Sequence, residues 1–342
     1  MGRLLFWLAV LGGAAVIFLF FFFTSAISRP GPNPEAKPFV VERGASGAQI
    51  ATALQREGLI TDALLFRVAN RLHGGGQSFQ AGEYEIPPHA SVRQIVEMVT
   101  SGDALQHAIT FHEGITIAAV MKIIEENDVL TGEMPDAPPE GSILPETYHV
   151  QRGMTRAALL QQMREARDSA VAEIWASRQA DLPINSAEEL VILASVVERE
   201  TGVPTERPQV AAVFVNRLRV PMRLESDPTI IYGVCRQFPD RCVDGRLVNA
   251  QGQRRTIRQS EIALNTGYNT YRIDRLPPTP ISNPGRAALE ATANPAQSDA
   301  LYFVADGTGG HVFTRTLAEH NAAVARWRQI EAQRLAAERA GD

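Results

Sequence analysis

The chain has 342 residues, 45% of them hydrophobic and 21% charged, and its net charge is −5. That length suits one large domain or two ordinary ones, and the weakly acidic balance argues against an electrostatic nucleic-acid binder. The seven histidines form no HExxH or Cys-x-x-Cys pairing, so neither a catalytic metal nor another cofactor is expected.

Residues 4–24 carry no charge and include Phe18, Phe20, Phe21, Phe22 and Phe23. At ~1.5 Å rise per residue such a run spans the ~30 Å hydrocarbon core of a bilayer. Arg3 is the only charged side chain before it, so the positive-inside rule puts residues 1–3 in the cytoplasm and the chain after residue 24 outside. The rival is a cleaved signal peptide, whose apolar region is usually ~7–15 residues followed by a small-residue cleavage site. The run here is longer, and Thr24-Ser25-Ala26 is a poor site, which favours a single-pass anchor.

Residues 25–38 are Pro-rich and polar and read as an extended linker. A module over residues 39–105 follows, in the order β-α-α-β-α. Val40-Val41 is a strand. Ser46 caps a helix with Ile50, Ala51 and Leu54 that stops at Gly58. Thr61 caps a second helix with Leu64, Leu65, Val68 and Leu72, stopped by Gly74-Gly75-Gly76. Tyr84 and Ile86 share one face of a strand, and Ser91 opens a helix with Val92, Ile95, Val96 and Val99 that ends at Gly102.

The larger part, residues 106–342, mixes helices and strands. Ile117, Val120, Met121 and Ile124 mark one helix and residues 155–178 a long amphipathic one. Leu301–Ala305 and His311–Thr314 form a hairpin, and residues 317–339 a closing helix. The fold class is therefore α+β: a transmembrane helix, a small α/β module and a larger mixed domain. Cys235 and Cys242, with six residues between them, can close a disulfide loop outside the membrane or remain two thiols.

The densest chemistry starts at Ser186, which pairs with Glu189 as a capping box. The helix they open, Leu190 to Val197, is apolar almost all round, as a helix in the middle of a domain is. Glu198, Arg199 and Glu200 follow directly. A carboxyl at the end of a buried helix sits where partial burial raises its pKa, as a general acid near neutral pH requires. Glu198 and Glu200 point about 200° apart. Leu190, Leu193, Val197 and Glu200 share one stripe, which favours Glu200 as the acid; solvated last-turn carboxylates paired with Arg199 or Arg207 are the plainer alternative. Asn216 and Arg217 at the end of the next apolar helix either tie helices together or contact substrate. The amides, hydroxyls and tyrosines of residues 265–285 suit a neutral polyhydroxylated ligand such as a sugar chain.

These motifs together resemble the endolytic murein transglycosylase (MltG, YceG-like) family. The resemblance rests on EGSILPETYHV at 140–150, ILASVVERET at 192–201, VAAVFVNRLRVPMRLESDPTIIYG at 210–233, YNTYRIDRLPPTPISNPG at 268–285 and LYFVADGTGGHVFTRTLAEHN at 301–321. It implies a lytic transglycosylase that cuts the MurNAc–GlcNAc β-1,4 bond inside peptidoglycan strands and leaves 1,6-anhydro-MurNAc ends. The acid of the family's E-x-E-T motif falls on Glu200, and the module over residues 39–105 corresponds to a LysM-like one. Glu146, Asn216, Asp227, Tyr232, Tyr268 and Asn269 are the candidate sugar-contacting residues. The implied partners are peptidoglycan strands, the bacterial inner membrane through residues 4–24, and glycan-polymerising synthases whose strands this enzyme would terminate; the catalytic domain would be periplasmic. Two rivals remain: a muramidase that uses Glu200 with Asp227 and water, and a noncatalytic wall-binding scaffold.

Overall fold

The computed structural model describes residues 2–73 and 78–341. The Gly74-Gly75-Gly76 stop lies outside the described residues. The chain divides into two compact units: residues 1–109, 128–132 and 148–155 form the first, and residues 110–127, 133–147 and 156–342 the second. The two short segments that return to the first unit carry no sequence signal of doing so, because a chain crossing leaves no mark on local periodicity.

The first helix, α1 (Gly2–Ile27), is long and apolar enough to cross a membrane. It runs three residues past the expected limit, because nothing breaks it before Pro30 restricts Arg29. Ile27 is fully buried in the core of the first unit. The following stretch is no loose linker. Asn33 is buried and donates to the Pro87 carbonyl at 2.7 Å, while the Gly31 N–H bonds the His89 carbonyl. Gly31 has to be glycine, since a Cβ there would lie 2.3 Å from the Ala90 carbonyl oxygen.

β1 (Lys37–Val41) enters the module, followed by α2 (Gly47–Arg56), α3 (Ala63–His73), β2 (Gly82–Ile86) and α4 (Val92–Ser101). β1 and β2 pair antiparallel with Phe39 opposite Tyr84, so Phe39, Val41, Tyr84 and Ile86 face one core. Ser46 with Gln49 and Ser91 with Gln94 close full capping boxes. Two details differ from expectation. Asp62, not Thr61, holds the start of α3, through its carboxylate and the Leu64 N–H at 2.7 Å. The inner face of α3 is set by Phe66 and Ala69, leaving Leu64 and Leu72 about half exposed. Phe66 stacks on Phe79, and its larger apolar area wins the buried position.

β3 (Gln106–Thr110), α5 (Ile117–Glu126), β4 (Thr147–Gln151) and α6 (Arg156–Ala176) come next, and β3 pairs with β4. The second unit is then organised around α7 (Ala187–Glu200). Against it pack α6, α8 (Arg207–Arg219), α9 (Asp227–Gln237) and, after β5 (Cys242–Val243), β6 (Arg246–Leu247) and α10 (Gln259–Ile262), the helix α11 (Arg286–Ala293). β7 (Tyr302–Ala305) and β8 (His311–Thr314) make the expected hairpin, and α12 (Leu317–Gly341) follows.

α7 is buried on every side through Leu190, Val191, Leu193, Ala194, Val196 and Val197. Ser195, in the middle of it, is fully buried; its hydroxyl donates to the Ile192 carbonyl and accepts the Ile281 N–H at 3.0 Å. Asn283 takes the Gly141 N–H on its side-chain oxygen and donates to Ile115 and Glu140. The motif around residues 281–285 is thus a seam that stitches α7 to two other segments.

Leu193 is completely enclosed in this core. Leu193→Ala in the full chain should therefore lower unfolding stability by roughly 2–5 kcal/mol, the usual cost of a buried Leu-to-Ala cavity. Urea unfolding followed by circular dichroism in detergent checks this; a change below about 1 kcal/mol would mean α7 is not the centre of the core.

Candidate active site

α7 begins at Ser186, whose hydroxyl accepts the Glu189 N–H at 3.2 Å. The reciprocal half of the expected box is displaced: the Glu189 carboxylate takes the Asn185 N–H at 2.8 Å. At the other end, successive side chains diverge by about 100°, and three neighbours meet three environments. Glu198 is almost fully buried, 3.3 Å from the Arg207 guanidinium, and accepts the Gly285 N–H at 2.9 Å. Burial pushes its carboxyl up, against the pull of that N–H and of Arg207. Arg199 donates to the Gly114 carbonyl and extends into a cleft. Glu200 turns the third way and accepts the hydroxyl of Ser226 at 2.5 Å.

Glu200 retains part of its surface, yet protein surrounds the carboxyl closely enough that burial raises its pKa from 4.5 to about 7. The Ser226 hydroxyl and the Arg217 charge oppose the rise, and the Asp227 charge adds to it. At neutral pH a large share of Glu200 is therefore protonated, with a hydroxyl on its oxygen able to follow either protonation state.

Ser226 owes its position to two buried threonines. Its N–H donates to the Thr270 hydroxyl at 2.9 Å and its carbonyl accepts the Thr229 hydroxyl at 2.6 Å. Thr229 and Thr270 bond each other at 2.9 Å and are both fully buried. Ser226 stands where a serine ordinarily caps a helix, but its hydroxyl makes no cap bond to α9 because it serves Glu200. Glu225, just before it, lies in the left-handed region at φ 48°, held by the Arg217 guanidinium at 3.4 Å.

Of the expected contact residues, Asp227 stands beside the acid. It is exposed, and its Oδ1 accepts the Tyr271 hydroxyl at 2.9 Å. Tyr232 is half-buried, edge-on to Tyr268 at 4.9 Å between ring centres, and lines a separate cleft of ≈ 330 Å³ with Glu140 and Arg236. Burial pushes its hydroxyl up to about 12. Tyr268 is nearly buried and bonds Thr279 at 2.8 Å.

Three expected residues point elsewhere. Asn216 donates to the Ser298 and Ala300 carbonyls, and Asn269, fully buried, donates to those of Ile262 and Leu264. Both amides are occupied as braces, so neither offers a hand to a sugar. Glu146 is exposed, lines none of the described clefts and contributes its carbonyl to the Phe111 N–H. Part of the polar stretch at 265–285 is likewise internal, with Asn269, Thr270, Ser282 and Asn283 all fully buried.

Sequence reasoning missed Ser226, Thr229, Thr270 and Tyr271. Their pairing joins segments 41 residues apart from Thr229 to Thr270, and no periodicity reports such a contact. It also missed Glu140, whose carboxyl accepts the Ile117 N–H and is raised by burial to about 7. Cys235 and Cys242 are bonded to each other, tying the last turn of α9 to β5.

A carboxyl raised from 4.5 to about 7 binds its proton more tightly in the folded chain than in the unfolded one, so its effect on stability becomes unfavourable as pH rises through that window. Glu200→Gln, which mimics the protonated form, should gain melting temperature over wild type progressively from about pH 5 to about pH 7.5. A constant difference across that range, in paired thermal scans, would contradict the raised pKa.

Residues 39–326 match the YceG-like family. The endolytic murein transglycosylase of Bacillus subtilis is 27% identical over 314 residues, covering 83% of this chain and 82% of that protein. The endolytic murein transglycosylase of Streptococcus pneumoniae serotype 2 is 24% identical over 335 residues, covering 82% of this chain and 57% of that protein. A crystal structure of a YceG-like protein from Listeria monocytogenes is 26% identical with a TM-score of 0.47, covering 84% of this chain and 98% of that one. Since the family match spans most of its length, the chain belongs to the YceG-like family.

Proposed function

We propose that this protein is an endolytic lytic transglycosylase of peptidoglycan, anchored in the bacterial inner membrane by α1 with its catalytic domain outside the cytoplasm. The observation that carries the reading is Glu200: a carboxyl raised to about 7, at the end of a buried helix, with one hydroxyl on its oxygen and a second carboxylate, Asp227, close enough to be felt. The names of the relatives support the substrate.

In the reaction, Glu200 gives its proton to the oxygen of the MurNAc–GlcNAc β-1,4 bond as the bond to C1 breaks. The C6 hydroxyl of the same MurNAc attacks C1 and releases its proton to the ionised Glu200, which is thereby restored as an acid. The nucleophile belongs to the substrate, so its effective concentration is high and no positioned water is needed. Asp227 places negative charge near the positive charge that develops at C1. The Ser226 hydroxyl stabilises the carboxylate left when Glu200 gives up its proton and so assists the first half, while burial favours the protonated form and so assists the return of the proton in the second. Tyr232 and Tyr271 present rings and hydroxyls to the glycan. The β1-α2-α3-β2 order supports a LysM-like, sugar-binding role for the first unit. Placement beside glycan-polymerising synthases would let the cut terminate growing strands.

A muramidase is the second reading, favoured by Asp227, since a hydrolase of the two-carboxylate kind needs a second acid by the first. The ends decide between them. Full-length wild type in detergent should release 1,6-anhydro-MurNAc ends from purified peptidoglycan, and Glu200→Gln should lose about 10²-fold or more of the rate. Reducing MurNAc ends, read by mass spectrometry, would move the function to a hydrolase; equal cleavage by Glu200→Gln would remove Glu200 from the chemistry.

Ser226→Ala removes a bond that lowers the Glu200 pKa. The alkaline limb of kcat/KM should then shift to higher pH, while kcat falls because the carboxylate formed as Glu200 gives its proton to the leaving oxygen is less stabilised. An unmoved limb would mean that Ser226 does not act on the acid.

A further inference from the structure

Beside Asp227 lies a cleft of ≈ 640 Å³ lined by Ile231, Leu247, Ile262 and the arginines Arg199, Arg246, Arg254 and Arg255. Asp227 is the only carboxylate among the described residues that line it, and the Tyr271 hydroxyl already bonds it. Arg255 is neutralised within the protein by two bonds to Glu261, at 2.6 and 2.8 Å. Arg199, Arg246 and Arg254 have no ion pair among the described residues. They also repel one another: after burial, the charges of Arg246 and Arg254 are the main influences that lower the pKa of Arg199.

A chain of net charge −5 thus gathers at one cleft wall three guanidiniums with no carboxylate ion pair among the described residues. Folding gains nothing from that gathering; an anion arriving from outside does, because guanidinium–carboxylate pairs are charge-assisted and directional. Asp227 lines this cleft and its charge acts on Glu200, so an anion held there would lie near the acid.

We propose that Arg199, Arg246 and Arg254 receive the free carboxylates of the peptide stem borne by the MurNAc that is cut. The proposal rests on the peptidoglycan reading above. Among the anions of a glycan strand, a stem occurs at every interior MurNAc, whereas a diphosphate occurs only at a lipid-linked end. A site beside an acid that cuts interior bonds meets the stem each time.

The test measures binding of full-length Glu200→Gln, in detergent, to three defined oligosaccharides of equal length: stem-bearing, stem-free, and stem-free with a lipid diphosphate end. The expected result is a Kd for the stem-bearing strand at least about tenfold below that for the stem-free one, as one charge-assisted contact gives. That preference should shrink as salt is raised and vanish in Arg246→Gln/Arg254→Gln, while Arg258→Gln, outside the cleft, keeps it. Equal Kd for stem-bearing and stem-free strands, retention of the preference in the double variant, or preference for the diphosphate end would each overturn the proposal. Both arginine side chains are exposed, so a far-ultraviolet spectrum and melting temperature like those of the parent establish that any loss is not unfolding. Because the readout is binding, a stem preference without cleavage by wild type would uphold this site while sinking the enzymatic reading.

Discussion

The burial of α7 is the constraint on which the rest of the second unit depends. A helix enclosed on all sides cannot roll, so the directions of the side chains in its last turn are fixed by the packing of Leu190, Leu193 and Val197 behind them. Three adjacent residues are thereby sent to three places. Glu198 goes to Arg207 and the Gly285 N–H, Arg199 to the cleft, and Glu200 to Ser226. Each of the three depends on the other two being elsewhere: with Glu198 satisfied inside the protein and Arg199 turned away, no cation among the described residues bonds Glu200, and burial raises its pKa against only the more distant charge of Arg217 and the Ser226 hydroxyl.

The opposite wall of the acid is built with comparable economy. Ser226 is held through its backbone on both sides by Thr229 and Thr270, which leaves its hydroxyl free for the carboxyl. Gly233 lets α9 approach this wall closely, since a Cβ there would meet Thr266 at 2.1 Å. The disulfide between Cys235 and Cys242 secures the far end of the same helix. A loop positioned only by side-chain contacts would leave the Ser226–Glu200 distance to fluctuate, and with it the pKa on which acid catalysis rests.

The legible part of this molecule was the part written in apolar periodicity. The uncharged run of α1, the all-round apolar α7 with Glu200 on its stripe, the capping serines of α2 and α4 and the β7–β8 hairpin all follow from spacing and cap chemistry. α9 and α11 did not stand out: the first carries Pro, Gly and a cysteine, and half of the second is alanine, so neither shows a clear apolar face. Polar function was legible in kind but not in direction. Asn216 and Asn269 have the right chemistry for a sugar and apply it to backbone carbonyls instead. A buried seam and an open subsite need the same amides and hydroxyls, and only the fold decides which residues face water.

Glu140 sharpens this distinction. Its carboxyl is raised by burial to about 7, as that of Glu200 is, yet it already accepts the Ile117 N–H and an Asn283 amide hydrogen. Those bonds fasten it between α5 and the seam at residue 283, and a carboxyl so held cannot follow a proton into a substrate without breaking its own support. Among the described residues Glu200 is bonded by a rotatable hydroxyl that can donate to the ionised acid and accept from the protonated one. Two carboxyls of similar pKa therefore differ in what surrounds them. Matching pKa to pH is necessary for an acid that must give up a proton and take one back, and a partner that tolerates both states is what sets Glu200 apart.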